Sequence, residues 1–444
     1  MQTLQKRGTF ASLKRAQKEA IGLLSMGTFL EYFDLMLYVH MAVLLNELFF
    51  PKTDPKTESL LAAFTFCATY VLRPFGALLF GYIGDTIGRK ATVVITTFIM
   101  AISCLIMANL PTYAQIGITA SWIVTLCRIA QGMSSMGEIV GAELYITEIT
   151  QPPIRYTLVA AIAVFGTLGS TAALGVASLV TTSVFNWRIA FWIGAGIAAI
   201  GTLARTRLRE TKEFTDAEWN AKNSVQEGSK DSTEVAHLRK HYGKVNWKTP
   251  LASFLIDCAW PVWFYIIYIH CGLMLKQLFD LTGDQVIRQN CMVSIADLLN
   301  ATALTALTYW IHPLKILRFK LSIFAPLALF TPFWLNSITT PWGILVLQLF
   351  MTLVAPTGFP AVSVIFSKFP VFTRFRYATM IYALARACMY VITSFGLVYL
   401  VAHLGNWGLL VIIVPVTIGY AWGRQHFEWL ETTAGDITHG NGEE

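Results

Sequence analysis

Twelve stretches of about 20 mostly apolar residues, separated by polar breaks, constrain this chain more than anything else in it. They fall near 20–45, 59–83, 91–109, 117–143, 157–180 and 187–204, then near 250–275, 289–311, 320–338, 341–366, 377–401 and 405–423. A backbone crossing hydrocarbon must satisfy its own N–H and C=O groups, so such stretches predict membrane-spanning α-helices packed side by side. Composition agrees: 55% of the residues are hydrophobic and 13% charged, too few charges to clothe a soluble protein of 444 residues. Between the sixth and seventh stretches lies Arg205–Val245, the one long polar segment. The expected fold is an all-α membrane protein of twelve transmembrane helices in two six-helix bundles, residues 1–204 and 248–424. A cytoplasmic linker at 205–247 and a cytoplasmic tail at 425–444 complete it.

Lys and Arg are retained on the cytoplasmic side of a membrane. With both termini cytoplasmic, 25 of the 33 fall on that side. Only Lys52, Lys56, Arg188, Lys276 and Arg288 lie outside, while Arg73, Arg128 and Arg386 lie within spans. The net charge of +7 thus follows topology, and no nucleic-acid partner is expected. The first apolar run continues past Asp34 to about Leu45 without a small-residue cleavage site, so it reads as a retained span. The seven cysteines lie mostly inside spans without metal-type spacing, which predicts buried free thiols and no metal or cofactor. No Walker loop, nucleophile elbow or zinc motif is present, so neither ATP-driven transport nor an enzyme is expected.

The turn between the second and third spans reads Gly81-Tyr-Ile-Gly-Asp85-Thr-Ile-Gly88-Arg89-Lys90. Glycines permit a tight turn and close helix approach, the acid can face a helix N-terminus, and the bases hold this end on the cytoplasmic side. Upstream stand Glu31-Tyr-Phe-Asp34 in the first span and Arg73-Pro-Phe-Gly76 in the second. The fourth carries Arg128-Ile-Ala-Gln131-Gly132, Gly137-Glu138, Gly141-Ala142 and, at its exit, Glu148. Asn186-Trp187-Arg188 opens the sixth, and Arg209-Glu210-Thr211 comes after it. Together these resemble the metabolite:proton symporter family of the major facilitator superfamily, which includes proline/betaine, citrate, 2-oxoglutarate and shikimate permeases. The resemblance covers most of residues 20–215. It implies the major facilitator fold, proton coupling through Arg128, and abutting second and eleventh helices. Two departures stand out. Thr86 occupies a position where the family usually has a base. The counterpart turn between the eighth and ninth spans, Trp310-Ile-His-Pro-Leu-Lys315-Ile-Leu-Arg318, keeps bases but lacks the acid and the glycines.

Charges inside a membrane are costly and face a cavity or a partner. Glu31 and Asp34 share one helical face a turn apart, so one of them could carry a proton; with Arg128 and Glu138 they are the proton-coupling candidates, unless they form a structural cluster. Arg128 and Glu138 are separated by about 15 Å of helical rise and cannot pair directly. Arg73 either binds a solute carboxylate or serves as a permanent partner of Glu31 or Glu138. Arg386 and Asp297 are the solute-binding candidates of the second half, with Asp257 a further acid there. Trp263 belongs to the aromatic run Trp260–Tyr268, either a cage for a quaternary ammonium or a packing surface. Gly81, Asp85, Gly88 and Arg89 are the gating candidates of the signature turn, with Arg374 or Arg376 offering the opposing charge.

The expected function is proton-coupled uptake of a small polar metabolite, most simply an organic acid, by alternating access. The expected setting is the inner membrane, as a monomer whose partners are solute, protons and lipid. Three alternatives stay open: a compatible-solute symporter, an exporter or exchanger on the same fold, and a transporter-like sensor. The short tail after Arg424 shows no heptad pattern, which speaks against an osmosensing coiled coil.

Overall fold

A computed structural model describes residues 13–50, 70–180, 186–206, 215–216 and 245–433. The first half contains α1 (Arg15–Phe49), α2 (Arg73–Thr86), α3 (Arg89–Asn109), α4 (Ile118–Ile149), α5 (Ile154–Val180) and α6 (Arg188–Arg205). The second contains α7 (Lys248–Phe279), α8 (Gly283–Leu307), α9 (Pro313–Ser337), α10 (Pro341–Ser367), α11 (371–404) and α12 (Gly408–Thr433). The bases Lys6 and Arg7, the early part of the second span with Cys67, most of the 205–247 linker and the end of the tail lie outside the described residues. The last helix runs past the expected boundary at 424, through Thr433.

Sequence explains where many helices begin. Thr340 precedes Pro341, and its hydroxyl accepts the Gly343 N–H, so α10 starts on a capped residue followed by proline. Thr282 and Gln285 form a reciprocal capping box at the start of α8. Gly88 joins α2 to α3 at φ 128°, a conformation that favours glycine, so this turn can reverse without strain.

Within the first bundle α1 packs on α5 and α6, and α3 on α4 and α6. Within the second, α12 packs on α7 and α9, and α8 on α10. The bundles meet chiefly through two helix pairs, α2 with α11 and α5 with α8, and also where α4 and α5 touch α10 and α4 touches α11. Close approach of α2 to α11 requires small residues. A Cβ on Gly84 would sit 2.7 Å from the Phe375 ring, and one on Gly81 would sit 2.9 Å from Thr379 Oγ1.

The second bundle differs from the first in the regularity of the helices that face inward. In α7 a π-helical turn occupies Tyr265–His270, and in α11 another occupies Ile392–Leu397. In α10 the helix stops at Val354 and resumes through a 3₁₀ turn at Phe359–Ala361. By contrast α1, α4 and α5 run unbroken. Carbonyls released by the α7 π turn are taken up by side chains. Gln348 of α10 donates to Ile267 O at 2.6 Å, and Asn290 of α8 donates to Tyr268 O at 3.4 Å. Such irregular backbone is tolerated at membrane depth because it is buried in protein or lines a cavity.

Candidate functional site

A cavity of about 150 Å³ lies between the bundles. That is room for about five waters, the scale of a small metabolite. The first bundle supplies one wall, with Tyr32 from α1, Arg73 from α2 and Glu143 from α4. The interrupted helices supply the other. Asp257, Trp260, Phe264 and Tyr268 succeed one another down the inner face of α7, mostly four residues apart. Asp297 enters from α8, Thr357 and Gly358 from the break in α10, and Tyr382, Arg386 and Tyr390 from α11.

Arg73 and Arg386 therefore face one cavity from opposite bundles. The Arg73 guanidinium stacks over Tyr70 at 4.5 Å, and that of Arg386 over Tyr382 at 3.2 Å. Nε and Nη2 of Arg73 and Nη1 of Arg386 are buried without a hydrogen-bond partner among the described residues. Donors held that way lack hydrogen-bond satisfaction until an acceptor enters. Aromatic contacts bridge the bundles beside them: Tyr70 and Tyr390 rings lie 4.1 Å apart, and the Tyr32 and Tyr382 hydroxyls 3.2 Å apart.

Trp263, expected among the solute-binding residues, is not in the cavity wall. It is fully buried and packs edge-on against Phe324 of α9, with ring centroids 4.5 Å apart. Trp260 and Phe264 take the wall positions instead. Asp297 does line the cavity, where it interacts electrostatically with the buried Lys320 of α9.

Asp34 and Arg128 are both buried, and Arg128 Nη1 lies 3.5 Å from Asp34 Oδ2. Cys104 Sγ donates to Asp34 Oδ1 at 3.4 Å, Arg128 donates to Gln131 Oε1 at 2.9 Å, and the guanidinium lies 4.0 Å from the Tyr38 ring centroid. All of these groups belong to α1, α3 and α4. Glu31 is buried one turn from Asp34. Glu138 is tied to α3, where Thr97 and Thr96 donate to its Oε2 at 2.7 and 3.4 Å. Of the described cysteines all are free, but Cys388 is exposed and Cys291 half-buried rather than buried.

A second charged cluster closes the end where α2 meets α3. Asp85 accepts the backbone N–H groups of Phe375 at 3.2 Å and Arg376 at 3.0 Å, near the start of α11. Arg89 donates to Gly84 O at 2.5 Å and to Val371 O at 2.8 Å, and it pairs with Glu148 at 3.1 Å. Arg374 reaches the same Glu148 oxygen at 3.4 Å. Sequence reasoning offered Arg374 or Arg376 as the base opposing Asp85. Of these, Arg376 does act on Asp85 electrostatically as well as through its backbone N–H, with its exposed guanidinium 5.9 Å from the Tyr82 ring centroid, whereas Arg374 turns to Glu148. Glu148, quoted only as part of a motif, is the acid that joins α3, α4 and α11.

Residues 21–287 match the model of the family described as Sugar (and other) transporter. The chain belongs to this family. It is 31% identical over 275 residues to the proline/betaine transporter of Salmonella typhimurium, covering 60% of this chain and 54% of that protein. To the inner membrane metabolite transport protein YhjE of Escherichia coli it is 36% identical over 198 residues, 43% of this chain and 45% of that one. The chain thus spans about half the length of the curated relatives it matches. Among solved structures, the major facilitator superfamily proton:xylose symporter XylE superposes with a TM-score of 0.73 at 17% identity, over 93% of this chain and 95% of that one. The human organic anion transporter MFSD10 superposes with a TM-score of 0.65 at 15% identity, over 92% and 100% of the two chains. This family member therefore has the major facilitator fold, in twelve helices, as a multi-pass membrane protein.

Proposed function

We propose that this chain is a secondary active transporter that takes up a small carboxylate-bearing metabolite with protons, by alternating access. The observation that carries this reading is the pair Arg73 and Arg386, one from each bundle, with unsatisfied guanidinium donors at one small cavity. A carboxylated solute bridging them binds better as the halves close, which supplies the differential affinity that alternating access needs. Asp34, Arg128, Glu31 and Glu138 form a proton-coupling cluster within the first bundle in this reading. Asp85, Arg89, Glu148 and Arg374 act as the latch, with Gly81 and Gly88 allowing the approach and Arg376 contributing through its backbone N–H. The bundles are residues 1–204 and 248–424. The distribution of Lys and Arg supports placing the latch, the 205–247 linker and both termini on the cytoplasmic side of an inner membrane.

One specific observation favours a second reading, a zwitterionic compatible solute. The cavity holds acids and aromatic rings beside its arginines, and a proline/betaine transporter is among the relatives. Uptake into proteoliposomes under an imposed pH gradient, comparing dicarboxylates, monocarboxylates, proline and betaine, separates the two. Arg73→Lys and Arg386→Lys keep charge but lose the planar fork, so each should weaken dicarboxylate binding more than monocarboxylate binding. Accumulation of betaine alone, or unchanged affinities in both lysine variants, would remove the organic-acid reading.

A further inference from the structure

The Asp34–Arg128 pair has a geometric shortcoming as the group that tells a proton whether the bundles are joined. Its members and their contacts, Cys104, Gln131 and Tyr38, all lie within the first bundle. When one bundle rocks against the other, a cluster of that kind moves as a unit, and its charges keep their spacing. A proton that drives the motion needs a site whose surroundings change as the bundles part.

We propose that Glu143 of α4 and Asp257 of α7 form such a site, two acids from opposite bundles that share one proton across the cavity. This rests on proton-coupled uptake and adds where proton, solute and bundle closure meet.

Both acids face the same cavity, and Glu143 is buried. Asp257 lies against the break in α10, where a Cβ on Gly358 would come within 3.7 Å of its Oδ1. The two carboxyl groups interact electrostatically with each other and with Arg386, and Arg73 does not figure in either balance. Charge counting then decides the outcome. Two acids and one guanidinium leave one negative charge in a water-poor space, and a shared proton cancels it. Asp34 is matched by Arg128, and Asp297 by Lys320. A solute carboxylate on Arg73 would neutralise the remaining cavity cation, so proton and solute would favour each other's binding. Parting the bundles separates Glu143 from Asp257 and Arg386 and admits water, which removes the reason to keep the proton.

Other titratable groups face this pair from most sides. Tyr32, with Glu31 beside it, comes from α1, and Tyr382, Tyr390 and Cys388 come from α11. Cys258 adjoins Asp257 on α7 itself, while Arg73 and Asp297 look across from α2 and α8. Tyr420 of α12 is engaged with Thr357 O at 2.9 Å. The cavity faces of α5 and α10 bring hydroxyls and apolar groups only, such as Thr167, Ser170 and Thr357. Among these neighbours the two carboxyls are the cavity-lining acids from opposite bundles that both interact electrostatically with Arg386.

The test uses the full chain in lipid nanodiscs without solute. Dicyclohexylcarbodiimide reacts with protonated carboxyls in apolar surroundings, and mass spectrometry locates the adduct. Glu143 or Asp257 is expected to be labelled at acid pH and spared at alkaline pH. In parallel, spin labels at Ile118→Cys and Trp342→Cys, on exposed ends of α4 and α10, report the distance between the bundles. The distance distribution should shift with pH in the parent protein, and E143Q or D257N should abolish that shift. Absence of labelling at both acids across the pH range overturns the proposal, even where neither variant folds. So does a parental pH response in both variants. Neither readout requires transport. A protein that shows both effects but accumulates no carboxylate would keep this site and lose the organic-acid reading.

Discussion

The turn between α2 and α3 and the turn between α8 and α9 occupy matching places in the two bundles, yet they hold the opposite bundle by different physics. The first engages α11 with Asp85, Arg89 and Glu148, all buried and charged. The second engages α5 through neutral groups. Thr308 donates to the Thr157 hydroxyl at 3.2 Å, and the His312 ring meets Tyr156 edge-on at 5.4 Å. Its basic residues serve their own bundle: Arg318 pairs with Glu428 of α12 at 3.0 Å, and Lys320 faces inward with Asp297. Loss of the acid and the glycines in the second turn is thus no loss of contact. The contact has become the weaker kind, since hydrogen bonds to charged groups are worth about 1.5–3 kcal/mol and neutral ones about 1. Contact between the bundles at this end is lopsided, with the α2–α11 side carrying most of the energy.

Removing the centre of the charged side should have the largest effect. Arg89→Ala deprives Glu148, Asp85 and two backbone carbonyls of a partner at once, and breaking buried pairs of this kind costs about 3–5 kcal/mol. Thermal unfolding and cysteine accessibility at the α2–α3 end should register a destabilised, more open protein; a wild-type profile would break the comparison. Asp85→Asn is milder because an amide still accepts one N–H, and about 1.5–3 kcal/mol is expected. Turnover in proteoliposomes should fall more than solute affinity, because Asp85 is remote from the cavity wall. Equal losses in both would place it in solute binding instead. Smallest of all, Thr308→Val or His312→Ala should each shift the same accessibility signal by about 0.5–1 kcal/mol. Should either rival Arg89→Ala, the two turns are energetically alike and the lopsided contact is wrong.

Much of this was legible in the sequence. The spans, the two-bundle fold and the signature turn each depend on contiguous residues or on a period repeated over a whole helix. Arg73, Arg386 and Asp297 line the cavity, as expected of charges at membrane depth, which must face inward. Trp263 was misplaced for a reason that is equally physical. Five aromatics among the nine positions 260–268 fall on more than one helical face, so their spacing does not say which of them meets the cavity. Asp257 was noticed only as a further intramembrane acid, since sequence does not say that α7 meets the same cavity as Glu143 of α4. The break in α10 had a signal, Pro356-Thr-Gly358-Phe-Pro360, whose prolines and glycine cannot continue a helix smoothly. Glu148 offered none of its own: its importance comes from three helices converging on one oxygen.

The interruptions in α7, α10 and α11 have a mechanical consequence. A regular helix resists bending because its hydrogen-bond ladder must stretch, whereas a π turn or a break has already given up that continuity. The cavity wall from the second bundle is therefore compliant at three heights, while α1, α4 and α5 form a stiff counterpart. A load applied where Asp85 meets α11 travels along the stiff half as through a lever arm and is absorbed in the hinged half. Tyr268, Gly358 and Tyr390 sit at or beside those hinges, so the cavity-facing surface is the part of the protein that yields first.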